Sequence, residues 1–168
     1  MVASDSYQID ELDSKIIRLL SEDGRRSFRE IADILKVAVG TAYNRIKRLE
    51  DLGIIKAYTV SVDYQRLGYE LTALTLIQAE GQHLTEVEKE AASHGAVSSV
   101  YDITGDFDIA VIARFRNRAD LNVFIKTLLK NPHVKRTVTN IILNVVKEGV
   151  AVDTFDGSAG AMAQSSLE

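Results

Sequence analysis

From Tyr69 to Val146 the apolar residues keep two rhythms in a fixed order: strand, helix, strand, strand, helix, strand. Few folds accept that order. Tyr69 to Ala79 alternates loosely and is rich in Leu, Thr and Ile, which predicts a strand. Thr85-Glu86-Val87-Glu88 offers a capping box for a helix that turns Val87, Ala91 and Ala92 inward and ends at His94-Gly95. Val97 to Thr104 and Phe107 to Phe115 read as two strands joined by the turn residues Gly105-Asp106. Asp120 opens a second helix with Leu121, Phe124, Ile125 and Leu128 buried, Asn131-Pro132 stops it, and Val134 to Val146 is a fourth strand. The arrangement is α+β and ferredoxin-like: four antiparallel strands with two helices on one face. Phe115, Leu143 and their neighbours are assigned to the face left bare. That predicts a second copy of the chain covering it, and so a homodimer.

The residues before this unit follow a helical period. Leu12, Ile16, Ile17, Leu19 and Leu20 form one stripe, closed by Asp23-Gly24. Ser27-Phe28-Arg29-Glu30 is a capping box, and Ile31, Ile34 and Leu35 line the short helix that follows. After the turn Val37-Ala38-Val39-Gly40, a third helix runs to about Leu52 and is ended by Gly53, suited to a left-handed cap. The β-rich run Ile54 to Val62 is read as a small ribbon or wing. Two short helices, a tight turn, a longer polar-faced helix and a wing describe a winged helix-turn-helix.

Charge singles out the third helix. The chain carries a net charge of −4, but residues 14–56 hold ten bases against six acids, a local +4 flanked by −4 on either side. A basic segment in an acidic chain suits a local polyanion contact. In the third helix Val39, Ala42, Ile46 and Leu49 share one side, and Gly40, Thr41, Asn44, Lys47 and Arg48 the other, with Arg45 on the flank and Tyr43 near the border. Small residues in front, an amide in the middle and cations behind suit entry into a major groove. Asn44 can pair with adenine, an Arg can reach guanine, and the remaining cations can hold phosphate.

Other chemistry has little purchase. There is no Cys, hence no disulfide, thiolate nucleophile or Cys-ligated metal. The acidic N-terminus has no signal-like apolar core, and no apolar run approaches the ~18 residues of a membrane span, so a cytoplasmic chain is expected. His83, His94 and His133 lack Cys partners and helical i, i+4 spacing, which gives no zinc signature. Asp102, Asp106 and Asp108 offer too few oxygens in register for a calcium loop. No metal and no catalytic residue is expected. Ser-His-Asp and phosphate-loop patterns are missing as well.

Three stretches resemble the Lrp/AsnC (feast/famine, leucine-responsive) family of transcriptional regulators: Leu12 to Leu20, Asn44 to Ile55, and Thr104-Gly105-Asp106-Phe107-Asp108. The likeness covers roughly residues 10–147. It departs from the family at Ala38, where members often place a Ser that caps the recognition helix. The resemblance implies a helix-turn-helix DNA-binding domain over 1–57, a wing or linker over 58–68, a ferredoxin-like (RAM-type, ACT-like) effector and oligomerisation domain over 69–148, and a tail over 149–168. It further implies a regulator that binds double-stranded DNA as a dimer, tetramer or octamer, without a cofactor but with an amino-acid effector. The effector residues it implies are Gly105, Asp106 and Asp108 of the turn, Tyr101 and Thr104 leading into it, and Thr137, Thr139 and Asn140 of the last strand. A carboxylate there can pair with an α-ammonium, and turn N–H groups with threonine hydroxyls can receive an α-carboxylate.

Two readings compete. A haem-pathway (sirohaem-type) decarboxylase resembles the same architecture, but the cationic helix face and the scattered His residues argue against it. A sensor or assembly module acting through partner contacts, with a vestigial DNA domain, is the other.

Overall fold

A computed structural model describes residues 9–148; the tail expected over 149–168 lies outside them. The chain divides into two compact units, the helices up to Val60 in one and Ser61–Val146 in the other. No helix among the described residues is long and apolar enough to cross a membrane.

In the first unit, α1 (Glu11–Glu22), α2 (Phe28–Leu35) and α3 (Val39–Asp51) close on Ile16, Ile31, Ala32, Ala42, Ile46 and Leu49, none more than 1% exposed. The Ser27 box forms: Glu30 N–H donates to Ser27 Oγ at 3.2 Å, and Ser27 N–H donates to Glu30 Oε2 at 2.7 Å. A second box, Asp10 with Asp13, opens α1. α3 begins behind Ala38, whose side chain supplies no cap, and Val39 is exposed rather than part of the core. Gly53 takes the left-handed φ of 68° that lets the chain reverse, so that Ile54 and Ile55 both donate to Leu49 C=O.

That reversal removes the expected wing. Ile54 and Ile55 pack against the helical core, and Ile54–Val62 forms no strand. An extended run without a neighbouring strand has no ladder to join, and β propensity alone does not supply one. Tyr58 instead donates its hydroxyl to Glu50 Oε1 at 2.9 Å. Burial, and then the Glu50 carboxylate, push its phenol up to about 12.

The second unit is an antiparallel sheet ordered β2-β3-β1-β4: β1 (Leu71–Ala79), β2 (Val97–Asp102), β3 (Ile109–Phe115) and β4 (Val134–Ile142). With α4 (Leu84–Ser93) and α5 (Arg118–Leu128) it gives the ferredoxin-like order. Ala73, Ile77 and Ala79 join Ile109, Val111, Ala113 and Phe115 to meet Val87 and Ala91 of α4 and Phe124 and Leu128 of α5. Ahead of β1, Tyr64 and Tyr69 meet edge to face, with Arg114 over Tyr64 and Arg116 over Tyr69.

Three local expectations change. Pairing Leu71 with Phe115 turns Phe115 toward the helices, 5.3 Å from the Phe124 ring and 2% exposed, so it is core and not the bare face. The bare face is instead carried by Leu74, Leu76, Ile112 and Val138, partly buried residues of opposite parity; Leu143 lies beyond the end of β4 and is almost fully exposed. The Thr85 box does not form, because a 3-10 turn (Gly81–His83) already starts the coil and α4 opens at Leu84, leaving Ala92 exposed. Asn117, not Asp120, caps α5, its carboxamide oxygen accepting from Asp120 N–H at 2.9 Å.

Candidate nucleic-acid interface and effector turn

α3 carries one face into the core and the other into solvent. Ala42, Ile46 and Leu49 are buried, while Gly40, Thr41, Tyr43, Asn44, Lys47 and Arg48 are exposed and Arg45 is half-buried. Tyr43 leans on α2, its ring edge-on to Phe28 at 5.3 Å. A Cβ added at Gly40 would meet nothing within 4 Å, so no packing in the chain demands glycine there.

The cations are aimed by a carboxylate that sequence reasoning missed. Asp13 of α1 is 0% exposed. Arg48 Nη1 donates to its Oδ2 at 2.8 Å and Arg45 Nη1 to its Oδ1 at 3.3 Å; Arg45 also pairs with Asp10. The Asp13 N–H, and further the Arg45 guanidinium, hold the Asp10 carboxyl below its usual range. Arg45 is accordingly bound to the start of α1, a structural tie that competes with its expected role on a duplex. The signal was present: Asp13 interrupts an apolar stripe one turn before Ile16 and Ile17, where a carboxylate needs a partner. Lys47 stays exposed, with long surface contacts of 3.4 Å to Glu50 and Asp51; the nearby Asp51 carboxylate raises its pKa. Such pairs are worth little and release easily.

The expected effector residues are only partly gathered. Thr104, Gly105 and Asp106 lie exposed on the β2–β3 connection, with Gly105 at φ 120°, open to glycine but strained for other residues. Tyr101 precedes them on β2, exposed. Asp108 is committed to the fold: its Oδ2 accepts the Ala79 N–H at 2.8 Å, its N–H donates to Ile77 C=O, and its C=O accepts from Ile103 N–H. The β1–β4 register slips between Gln78 and Ala79, and the Asp108 carboxylate satisfies the amide beside the slip. Thr139 and Thr75 share a hydroxyl bond of 3.1 Å, Thr75 being fully buried. Thr137 pairs with Ile77 on the same side, whereas Asn140 pairs with Leu74 and has opposite parity. Asn140 therefore lies on the opposite face of the sheet from Thr137 and Thr139. Arg136 reaches toward the turn, its guanidinium 5.6 Å from the centre of the Phe107 ring. As one of two cations opening a strand, it gave no sign in the sequence of reaching that turn.

The structure also brings together two histidines that the sequence leaves 50 residues apart. The rings of His83 and His133 stack at 3.4 Å beside Glu80.

A model of the Lrp/AsnC ligand binding domain matches residues 72–152, and a model of the AsnC-type helix-turn-helix domain matches residues 9–50. An uncharacterized HTH-type transcriptional regulator of Pyrococcus furiosus is 52% identical over 141 residues, 84% of this chain and 95% of that one. The HTH-type transcriptional regulator FL11 of Pyrococcus horikoshii is 36% identical over 140 residues, 83% of this chain and 93% of that one. A transcriptional regulator of Neisseria meningitidis, solved as a complex with L-methionine, gives a TM-score of 0.80 over 86% of this chain and 96% of that one. At 23% identity that likeness speaks for the fold alone. Each of these relatives is named a transcriptional regulator and none a decarboxylase.

Proposed function

This chain belongs to the Lrp/AsnC family of transcriptional regulators, a helix-turn-helix unit joined to a ligand-binding domain, and from that premise we propose that it reads specific operators through the outer face of α3. One observation carries the reading: the side of α3 opposite the buried Ala42, Ile46 and Leu49 offers Gly40, Thr41, Asn44, Lys47 and Arg48 to solvent in a single row. Asn44 is the base-reading amide, and Lys47 and Arg48 hold phosphate. Fluorescence anisotropy on a duplex from the chain's own promoter region tests it. Binding tighter than to an unrelated duplex is expected, with log K falling by about 0.9 per phosphate contact for each decade of salt. Equal affinity for both duplexes refutes operator reading.

Gly40 gives a separable check. Gly40→Ala is expected to raise stability by up to about 0.5–1 kcal/mol, since alanine is the better helix former and the methyl meets nothing in the chain. The same methyl stands on the surface offered to base edges, so operator affinity falls. Urea unfolding and anisotropy on one preparation read both signs.

The ligand-binding domain is proposed to take a free amino acid at the exposed 104–106 turn, the α-ammonium on Asp106 and the α-carboxylate on turn N–H groups and Arg136. A copy of the chain seated on the apolar sheet face would make the dimer, and its strands would add polar groups beside the turn. Thermal unfolding with each of the twenty amino acids checks the effector. One of them at 100 times its dissociation constant adds about 2.7 kcal/mol, and Asp106→Ala abolishes the gain. No shift with any amino acid removes the effector reading.

A further inference from the structure

We propose that Glu80, His83 and His133 form a binding site for a first-row transition-metal dication such as zinc. Two imidazoles and one carboxylate are the donor set such ions prefer over calcium or magnesium, which take oxygen. The three residues offer donor atoms that all lie within 4.8 Å of one another. Around an ion with bonds of about 2.0–2.1 Å, tetrahedral donors stand roughly 3.4 Å apart. Ligation requires the donors to draw in from that spacing by side-chain rotation.

The backbone beneath the donors is held rigidly. Glu80 N–H donates to His133 C=O at 2.9 Å, locking the end of β1 to the residue before β4, and His83 N–H donates to Glu80 C=O at 2.8 Å across the 3-10 turn. His133 N–H is anchored by Asn131 Oδ1 at 2.9 Å, and Asn131, nearly buried, donates in turn to Glu90. Glu86 already orients the His83 ring, and His133 meets Glu80 through the nitrogen that would share the ion with that carboxylate. His83 Nδ1 lies 3.3 Å from Glu86 Oε2, and His133 Nδ1 lies 3.1 Å from Glu80 Oε2. A carboxylate on one ring nitrogen fixes the tautomer and turns the other toward a metal. In this arrangement Glu86 is a positioning residue for His83, the three donors ligate, and water fills the fourth place. Glu80 is exposed and both histidines are half-buried, so the ion enters from solvent.

The test uses the untagged full-length chain, stripped with a chelator and titrated with zinc chloride against a chromophoric competitor. One ion per chain is expected. His83→Ala and His133→Ala should each weaken binding at least 100-fold, Glu80→Gln at least 10-fold and Glu86→Gln about 10-fold. His94→Ala is the control: its ring lies against Phe124 and accepts the Ala96 N–H, apart from the site, and its affinity should match the parent. Imidazole nitrogen shifts in the parent chain, followed by NMR during the titration, need no variant to fold; His83 and His133 move and His94 stays. A parent that binds no zinc, shifts confined to His94, or binding unchanged in the double His83→Ala, His133→Ala chain would each overturn the proposal. Because none of these readings involves DNA or an amino acid, their failure leaves the operator reading standing, and the reverse also holds.

Discussion

Replacing Asp13 with alanine is expected to destabilise the helical unit by about 2–3 kcal/mol and to weaken operator binding with it. The carboxylate is wholly buried and accepts from Arg45, Arg48 and the Asp10 amide. Removing one member of a buried pair costs about 3–5 kcal/mol when the partner charge stays dry. Here the guanidinium side chains keep 34% and 43% of their surface in water, so part of that penalty is returned by hydration. Asp13→Asn, which keeps shape and one acceptor but loses the charge, should fall between the parent and Asp13→Ala. Glu22→Ala, which deletes two exposed pairs with Arg18 and Arg26, should change stability by less than about 1 kcal/mol. Urea unfolding of the full chain, with amide exchange followed in α1 and α3, separates the three. If Asp13→Ala behaved like Glu22→Ala, the anchoring role would be wrong.

That anchor marks where the sequence ran out. Helix and strand order was legible because each element repeats its period over several turns or pairs. The Ser27 box, the Gly53 reversal and the αβ order all depend on neighbours within a few residues. Features built across the chain were not legible: Asp13 meets Arg48 across 35 residues, and His83 meets His133 across 50. Asp108, which the resemblance implies as an effector carboxylate, also accepts the Ala79 N–H beside the register slip at Gln78–Ala79, a contact across 29 residues. The wing failed for a related reason. Ile54 and Ile55 have strand character, but the nearest apolar partner was the helical core rather than another strand.

On the proposed duplex face, Lys47→Ala is expected to weaken binding to every sequence alike and to lower the salt slope by about 0.9. Arg48→Ala should do the same and additionally lose stability, because it also breaks the 2.8 Å contact with Asp13. Among the described residues Lys47 has only long surface pairs, so its variant isolates the phosphate contribution from folding. Unchanged salt slopes in both would remove α3 from the interface. Asn44 should behave differently. An amide pairing two edges of adenine discriminates by about 1–3 kcal/mol, roughly 5- to 150-fold, and contributes little on an unrelated sequence.

Base reading by Asn44 is therefore measured by the ratio of two affinities, operator duplex over unrelated duplex, at one salt concentration for the parent and for Asn44→Ala. The ratio is expected to collapse by about 10-fold or more in the variant, while binding to the unrelated duplex stays within about 2-fold. A ratio that survives the loss of the Asn44 amide, in a chain that remains folded, would contradict that reading.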